Sequence, residues 1–189
     1  TIQSFIFTDD KKNASIYLSK FSKLTRMILE MSDKETVRLA EEINALTLYL
    51  DIEKVRFDTD FEFTIEVDNE LDIDLINIPS MIIQPYVENA VKHGLLHKKG
   101  AKKLTIHLSR NATHLMIQID DNGIGRARAN ELNQRKTDRH QSFATAANQK
   151  RLELLNSGRN TSVVIQYIDK PEGSGTTVII SIPIVIGSN

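Results

Sequence analysis

The sequence predicts an α+β protein: a two-layer α/β sandwich, with a mixed, largely antiparallel sheet and helices on one face, preceded by a helical hairpin. Two observations support this prediction. Apolar residues recur at alternating spacings of four and three as far as Phe57, and from Phe61 onward they alternate with polar residues. Because the period changes there, we expect the hairpin to occupy residues 1–58 and the sandwich domain to occupy residues 59–186.

The hairpin prediction rests on two runs of apolar residues joined by a short polar segment. The runs are Tyr17, Phe21, Leu24, Ile28 and Met31, then Leu39, Ile43, Leu46, Leu50 and Phe57. Between them, Ser32-Asp33-Lys34-Glu35 has the form of a capping box, which predicts that one helix ends near Met31 and the next begins just after Ser32. Two helices alone leave an apolar stripe exposed, so we expect a homodimer through a four-helix bundle; packing on the rest of the same chain is the alternative.

The sandwich prediction rests on five alternating segments and two helical ones. The segments of alternating apolar residues are 61–67, 104–108, 115–119, 163–167 and 178–182, and the helical segments are at about 80–95 and 144–157. The resulting order is β-α-β-β-α-β-β. Strands that follow one another directly in sequence favour antiparallel pairing.

The composition excludes several functional classes. Lys plus Arg (24) nearly balances Asp plus Glu (25), so the chain lacks a general basic field and nucleic acid is not an expected partner. Without cysteine, disulfides and thiolate chemistry are excluded, and metal ligands must be nitrogen or oxygen. No apolar run approaches the roughly 18 residues that a membrane span needs.

One predicted helix carries polar groups that suit a magnesium-bound nucleotide. Asn89, Lys92 and His93 lie three and four residues apart, so an amide oxygen, an ammonium and an imidazole can share one face. Mg²⁺ takes one or two protein oxygens together with phosphate oxygens, and lysine offsets phosphate charge. The alternative is a solvated polar face on which Glu88 and Lys92 form a surface ion pair.

Four of the eight glycines form two Gly-x-Gly pairs at strand boundaries, where backbone turns sharply or approaches a ligand closely. The pairs are Gly123 with Gly125 and Gly173 with Gly175. Asp121 ends a strand just before the first pair, so its carboxylate can accept a hydrogen bond from an exocyclic amino group such as that of adenine. The alternative is an Asx turn that closes Asp121-Asn122-Gly123.

In this order the motifs resemble a known family. An Asn-bearing helix, a strand ending in Asp-x-Gly-x-Gly, a polar loop, a helix and a Gly-x-Gly-Thr strand are similar to the Bergerat-type ATP-binding domain of histidine kinases and their gyrase, Hsp90 and MutL relatives. More narrowly, the run Gln84-Pro85 through Glu88-Asn89-Ala90 to Lys92-His93-Gly94 resembles LytS/YehU-type sensor histidine kinases. The resemblance covers nearly the whole chain.

The resemblance implies a role for each matched position. Asn89 would bind Mg²⁺ through its side-chain oxygen, Lys92 would contact phosphate and Asp121 would hydrogen-bond the adenine amino group. Gly123 and Gly125 would let backbone pass the nucleotide, and Gly173, Gly175 and Thr176 would complete the pocket, with His93 beside it. Pro85 stands where related ATPases place a water-activating glutamate, so phosphoryl transfer to a protein fits better than hydrolysis.

We therefore expect the ATP-binding catalytic region of a two-component sensor histidine kinase. The resemblance places the phospho-accepting histidine upstream of Thr1, so these residues should not phosphorylate themselves, and none of them is assigned as catalytic. It further implies a cognate response regulator as partner and a location as the cytoplasmic portion of an inner-membrane sensor protein.

The presumed ATP lid, from Arg126 to about Gln149, departs from the family pattern. Ser142-Phe143-Ala144-Thr145 stands where relatives place a Gly-x-Gly turn. The basic residues of this segment can contact phosphate or remain solvated: Arg126, Arg128, Arg135, Lys136 and Arg139. The alternative functions are a non-catalytic interaction module with a degenerate nucleotide site and a free-standing ATPase, against which Pro85 argues.

Overall fold

The structure is a computed structural model that describes residues 10–57, 60–135, 156 and 163–184. The chain consists of two compact units. The first contains residues 1–62 and 73–84, and the second contains residues 63–72 and 85–189. Residues 73–84 therefore group with the N-terminal segment rather than with the strands that surround them in sequence.

The first unit contains the predicted helical hairpin. Helix α1 (Lys11–Ser32) begins at Asp10, whose carboxylate accepts a hydrogen bond from the Asn13 N–H, and it packs against helix α2 (Leu39–Phe57). The Lys20 ammonium lies 2.7 Å from the Asp51 carboxylate. The two residues lie equally far along the chain from the connection, as in an antiparallel pair.

The predicted start of the second helix was wrong. The Ser32 hydroxyl donates to the carbonyl of Leu29, within helix α1, and the next residues form strand β1 (Thr36–Arg38). Strand β1 pairs antiparallel with strand β3 (Asn77–Pro79), so the chain stays extended until Leu39. A three-residue strand is too short to show alternation, and its partner is distant in sequence.

Part of the apolar surface of helix α1 is exposed. Leu24 and Met31 are buried, whereas four apolar side chains are 47–62% exposed: Ile16, Leu18, Phe21 and Leu29. Of these four, only Phe21 belongs to the predicted apolar stripe, of which Tyr17 and Ile28 are half-buried.

The second unit contains most of a five-stranded sheet in the order β2-β4-β5-β7-β6, whose first strand begins in the last two residues of segment 1–62. Its strands are β2 (Phe61–Val67), β4 (Lys102–Arg110), β5 (His114–Asp121), β6 (Val164–Asp169) and β7 (Thr176–Pro183). Every pairing whose register is described here is antiparallel, and the predicted fold class is confirmed. On one face, Ile106, Ile119 and Val178 lie opposite one another and are buried.

Helix α3 (Gln84–Asn89) continues into a π-helical turn (Ala90–Leu95) that contacts β4 and β5. Helix α4 (Arg126–Arg135) follows β5, which places a helix at the start of the segment expected to be a polar loop. Of the helix predicted at 144–157, the structure describes Asn156 alone, which is helical; the rest lies outside the described residues. No helix among the described residues is long and apolar enough to cross a membrane.

Candidate nucleotide site

Asp121 is a buried carboxylate at the end of β5. It is 4% exposed, and its Oδ1 accepts a hydrogen bond of 2.7 Å from the Gly123 N–H, which is the contact of an Asx turn. The turn and the acceptor interpretations are compatible, because a carboxylate can accept several hydrogen bonds.

Burial raises the pKa of Asp121 to about 6. The N–H groups of Gly123 and Thr176 and the positive charge of Lys170 act in the opposite direction, and the charge of Asp120 adds to the increase. Burial therefore makes ionisation of the Asp121 carboxyl group less favourable than in water. Because its pKa of about 6 is still below 7, the carboxylate predominates at neutral pH and can accept hydrogen bonds.

Two glycines allow backbone to lie directly against this carboxylate. A Cβ atom on Gly94 would lie 3.0 Å from Asp121 Oδ1, and one on Gly123 would lie 2.5 Å from the carbonyl carbon of Gly94. The Ile124 N–H also donates to the Gly94 carbonyl at 3.2 Å. Any side chain at either position would separate the π-helical turn from the end of β5.

The two Gly-x-Gly pairs lie next to each other. A Cβ atom on Gly125 would lie 3.0 Å from Gly173 Cα, and one on Gly175 would lie 2.0 Å from the backbone oxygen of Asp121. Gly125, Gly173 and Gly175 all have positive φ angles, of 74°, 66° and 129°. Thr176 pairs with Asp121 across β5 and β7, so the structure brings these predicted residues together around Asp121.

The predicted helix residues lie on a more exposed surface. Asn89 is exposed and ends helix α3, and Lys92 is exposed and forms an ion pair of 2.5 Å with Glu88, as the alternative interpretation expected. His93 is half-buried; its pKa is lowered by burial and by the charges of His97 and Lys92. Since His93 directly precedes Gly94, the π-helical turn connects this polar surface to Asp121.

The π-helical turn was not predicted. The Leu96 N–H donates to the carbonyl of Val91 at 2.9 Å, a hydrogen bond that spans five residues rather than four. Such turns are frequent at functional sites, but an apolar periodicity cannot distinguish them from an α-helix. Gly94, which the sequence analysis quoted without assigning it a role, lies in this turn.

Two further residues around the site were missed. Asn122 binds the start of β4: its side-chain oxygen accepts from the Lys103 N–H at 2.8 Å, and its side-chain amide donates to the Ala101 carbonyl at 3.2 Å. Lys170 reaches Asp120 at 2.7 Å and the backbone oxygen of Asp121 at 2.8 Å. Neither contact has a local signal in the sequence, because each joins segments that are distant along the chain.

Among the lid arginines, the structure describes the side chains of Arg126 and Arg128. Arg126 lies 4.4 Å from the centre of the Tyr167 ring and 3.5 Å from the Asp169 carboxylate, so it contacts the edge strand β6. Arg128 is exposed. Lys136, Arg139 and the segment 142–145 lie outside the described residues.

Comparisons with known proteins agree with this geometry. A family model of histidine kinase-, DNA gyrase B- and HSP90-like ATPases matches residues 76–186, and a histidine kinase model matches residues 1–61.

Among curated relatives, the sensor histidine kinase BtsS of Escherichia coli K12 is 34% identical over 124 residues, which are 65% of this chain and 21% of BtsS. The sensor protein LytS of Oceanobacillus iheyensis is 34% identical over 124 residues, 66% of this chain and 21% of LytS. The sensor protein kinase HptS of Staphylococcus aureus USA300 is 34% identical over 125 residues, 66% of this chain and 23% of HptS. The chain thus spans about a fifth of the length of these relatives.

Solved structures share the fold. The histidine kinase domain of a blue-light activated histidine kinase from Erythrobacter litoralis aligns with a TM-score of 0.54 at 14% identity, covering 88% of this chain and 74% of that one. The catalytic domain of histidine kinase ThkA aligns with a TM-score of 0.52 at 17% identity, covering 78% and 94%. With the family model matching more than half of its residues, this chain belongs to the histidine kinase-, DNA gyrase B- and HSP90-like ATPases.

Proposed function

We propose that this chain is the catalytic, ATP-binding region of a two-component sensor histidine kinase and that adenine binds at Asp121. The observation that supports this most directly is the buried carboxylate of Asp121, enclosed by backbone at Gly94 and Gly123. A flat ring can approach backbone that carries no side chains, and an ionised carboxylate accepts the hydrogen bond that an exocyclic amino group donates.

The other members of the proposed site follow the family resemblance. Gly123, Gly125, Gly173, Gly175 and Thr176 would line the nucleotide around Asp121. Lys92 would leave Glu88 to contact phosphate, which an exposed ion pair worth only a few tenths of a kcal/mol permits. His93 would lie beside the phosphates.

The residues present fit a magnesium ion that arrives with the nucleotide. No cluster of three or more His, Cys, Asp or Glu side chains that could hold a metal occurs among the described residues, so a resident all-protein cage is not indicated there. The exposed amide oxygen of Asn89 is the kind of single oxygen ligand with which Mg²⁺ is held when phosphates supply the others. When bound, the ion would offset charge on the phosphate oxygens.

In the longer protein we propose that a neutral histidine nitrogen, upstream of Thr1, attacks the γ-phosphorus of ATP. The bond to the β,γ-bridging oxygen breaks, ADP leaves, and the phosphoryl group then passes to an aspartate of a response regulator. The chain's own groups would bind and orient the nucleotide. Pro85, in the first turn of helix α3, has no side chain that can activate water.

The proposal includes an assembly and a location. The exposed apolar side chains of helix α1 support a homodimer through the hairpin in residues 1–58, with the ATP-binding domain in residues 59–186. The curated relatives are named as sensors, and the family resemblance implies that this chain is the cytoplasmic portion of an inner-membrane sensor protein.

A second candidate function is a non-catalytic interaction module that retains the fold. The ion pair between Lys92 and Glu88 favours it, because it leaves the proposed phosphate-binding lysine engaged elsewhere. This candidate predicts no binding of ATP at millimolar concentration.

A thermal-shift titration with the β,γ-imido analogue of ATP, with and without Mg²⁺, separates the two functions. At about 100 times the dissociation constant a ligand stabilises the folded state by roughly 2.7 kcal/mol, which raises the unfolding midpoint by several degrees in a chain of this size. We expect Asp121→Ala to abolish the increase and Asn89→Ala to remove mainly its dependence on Mg²⁺. An equal increase for wild type and Asp121→Ala would show that the assigned site is wrong.

A further inference from the structure

We propose that Lys170 is a positioning residue for the nucleotide site. The carboxylate of Asp120, which Thr177 orients, holds the Lys170 ammonium. In this position Lys170 fixes the end of β5 against the turn between β6 and β7 and supplies positive charge next to Asp121. This inference rests on the proposed function, since it concerns the same site. It adds three residues that neither the sequence motifs nor the family resemblance assigned.

The first step is the network of hydrogen bonds. Lys170 Nζ lies 2.7 Å from Asp120 Oδ2, and Thr177 Oγ1 donates to the other oxygen of the same carboxylate at 2.5 Å. Asp120 pairs with Thr177 across β5 and β7. The Asp120 carboxylate is thus fixed on both oxygens, and it orients the lysine ammonium.

The second step is the contact between Lys170 and the site backbone. The ammonium also donates to the backbone oxygen of Asp121 at 2.8 Å, and the Lys170 N–H donates to the carbonyl of Gly175 at 3.2 Å. The same Asp121 oxygen is the atom that a Cβ on Gly175 would meet at 2.0 Å. Lys170 therefore forms hydrogen bonds to both Gly175 and the end of β5, where these two segments approach each other most closely.

The third step is electrostatic. Burial raises the pKa of Asp121, Lys170 and the N–H groups of Gly123 and Thr176 lower it, and Asp120 raises it. Gly94, which lies against the carboxylate from the π-helical turn, adds no charge. Lys170 is half-buried, which limits the screening of its charge by solvent. Removing Lys170 leaves both burial and Asp120 to disfavour the ionised acceptor, so the pKa of Asp121 should increase.

The test measures the pKa of Asp121 by carbon-13 NMR of its carboxyl group in the nucleotide-free chain, together with the dissociation constant of the β,γ-imido ATP analogue between pH 5 and 8. An opposite charge within about 4–6 Å shifts a carboxyl pKa by roughly 1–3, so Lys170→Met should raise the pKa of Asp121 by about 1. The ionised fraction of Asp121 then falls about twofold at pH 7 and about tenfold at pH 5, and binding of the analogue should weaken by the same factors. Lys170→Arg should restore most of both. Lys23→Met, which removes an equal charge from an exposed position on helix α1, should change neither.

A second variant keeps the inference testable if Lys170→Met fails to fold. Asp120→Asn retains an oxygen that can accept from Thr177 but removes the negative charge beside Asp121, so it should lower the pKa of Asp121. Opposite shifts for the two variants would support the proposal, since a merely structural role gives no reason for opposite signs. Shifts of the same sign, or an unchanged pKa in both, would overturn it.

The two measurements also separate this inference from the proposed function. A wild-type chain that does not bind the analogue overturns the proposed function, and with it the role of Lys170 in a nucleotide site. A wild-type chain that binds, together with a Lys170→Met variant of equal affinity and unchanged pKa for Asp121, overturns the inference alone.

Discussion

The two ends of the proposed nucleotide site are built differently. At one end Asp121 is 4% exposed and is enclosed by backbone that three glycines allow to approach. At the other end Asn89 is exposed and Lys92 is engaged in an exposed ion pair with Glu88. In the proposed site, the surface assigned to the base would therefore be formed before the ligand binds, whereas the surface assigned to the phosphates would be completed by the ligand.

The largest effect should come from disturbing the enclosed end. In Gly175→Ala, the new Cβ would lie 2.0 Å from the Asp121 backbone oxygen at a φ of 129°, so either β5 or the turn must move. Overpacking and an unfavourable φ each cost about 1–3 kcal/mol, and we expect a loss of more than about 3 kcal/mol in the free energy of unfolding. Urea denaturation followed by circular dichroism measures it.

Gly100→Ala is the matched control for this substitution. Gly100 also has a positive φ, of 77°, but a Cβ there would have no neighbour within 4 Å. Its cost should therefore be limited to the backbone term, about 1 kcal/mol. Equal costs for the two variants would show that close approach at Gly175 is not what requires glycine.

The next effect is a gain in stability when the acceptor is made neutral. The pKa of Asp121 is raised to about 6 from an ordinary value of 3.8, so ionisation of this group disfavours the folded state. This loss of folding stability is absent below the ordinary pKa of 3.8, which applies to the unfolded chain. It grows as the pH rises towards 6 and reaches its full size above pH 6. Asp121→Asn should remove it and stabilise the nucleotide-free chain at pH 7 by about 1–3 kcal/mol.

Thermal unfolding at pH 7 and pH 4 tests the sign. We expect Asp121→Asn to raise the midpoint at pH 7 and to match wild type near pH 4, where Asp121 is protonated in the folded state. Asp33→Asn removes an equal charge from an exposed position and should leave both midpoints unchanged. A lower midpoint for Asp121→Asn at pH 7 would contradict the unfavourable burial of this charge.

The same carboxylate should make nucleotide binding depend on pH. As the pH falls through about 6, Asp121 gains a proton and loses acceptor strength, so the dissociation constant of the ATP analogue should increase about tenfold between pH 7 and pH 5. Isothermal calorimetry measures this increase. Asp121→Asn provides the control, because titration of the analogue's own phosphates affects both proteins and only the wild type should show the additional change.

The contrast between the two ends also explains which parts of the molecule were predictable. The strands of the sheet were found because one face is buried, as for Ile117 and Ile180, so that alternation is written into the sequence. The two Gly-x-Gly pairs were found because glycine adopts positive φ angles without strain and permits close contacts of backbone at these positions. Features that depend on the local sequence, such as alternating burial along a strand and the position of a glycine, can therefore be predicted.

Features that depend on residues distant along the chain could not be predicted from the sequence. Strand β1 exists because Val37 pairs with Ile78, and without that partner Ser32-Asp33-Lys34-Glu35 appeared to be a helix start. Lys170 acquires its role from Asp120, a residue fifty positions earlier in the chain. The family resemblance suggested which residues contact the nucleotide, but it carried no information about these supports.

The smallest effects should come from the exposed end. The pair between Glu88 and Lys92 is exposed, so Glu88→Gln should change the free energy of unfolding by less than about 0.5 kcal/mol. If Lys92 must leave Glu88 before it can contact phosphate, Glu88→Gln should strengthen binding of the ATP analogue about twofold, an effect of the same small size. The binding of adenosine, which has no phosphate, should be unchanged, and calorimetric titrations of both ligands give the comparison.

Lys92→Met should have the opposite effect on the analogue: weaker binding of the analogue, again with unchanged binding of adenosine. A loss of adenosine binding in either variant would mean that the two ends are coupled and that the base surface is not formed independently of the helix that carries Asn89.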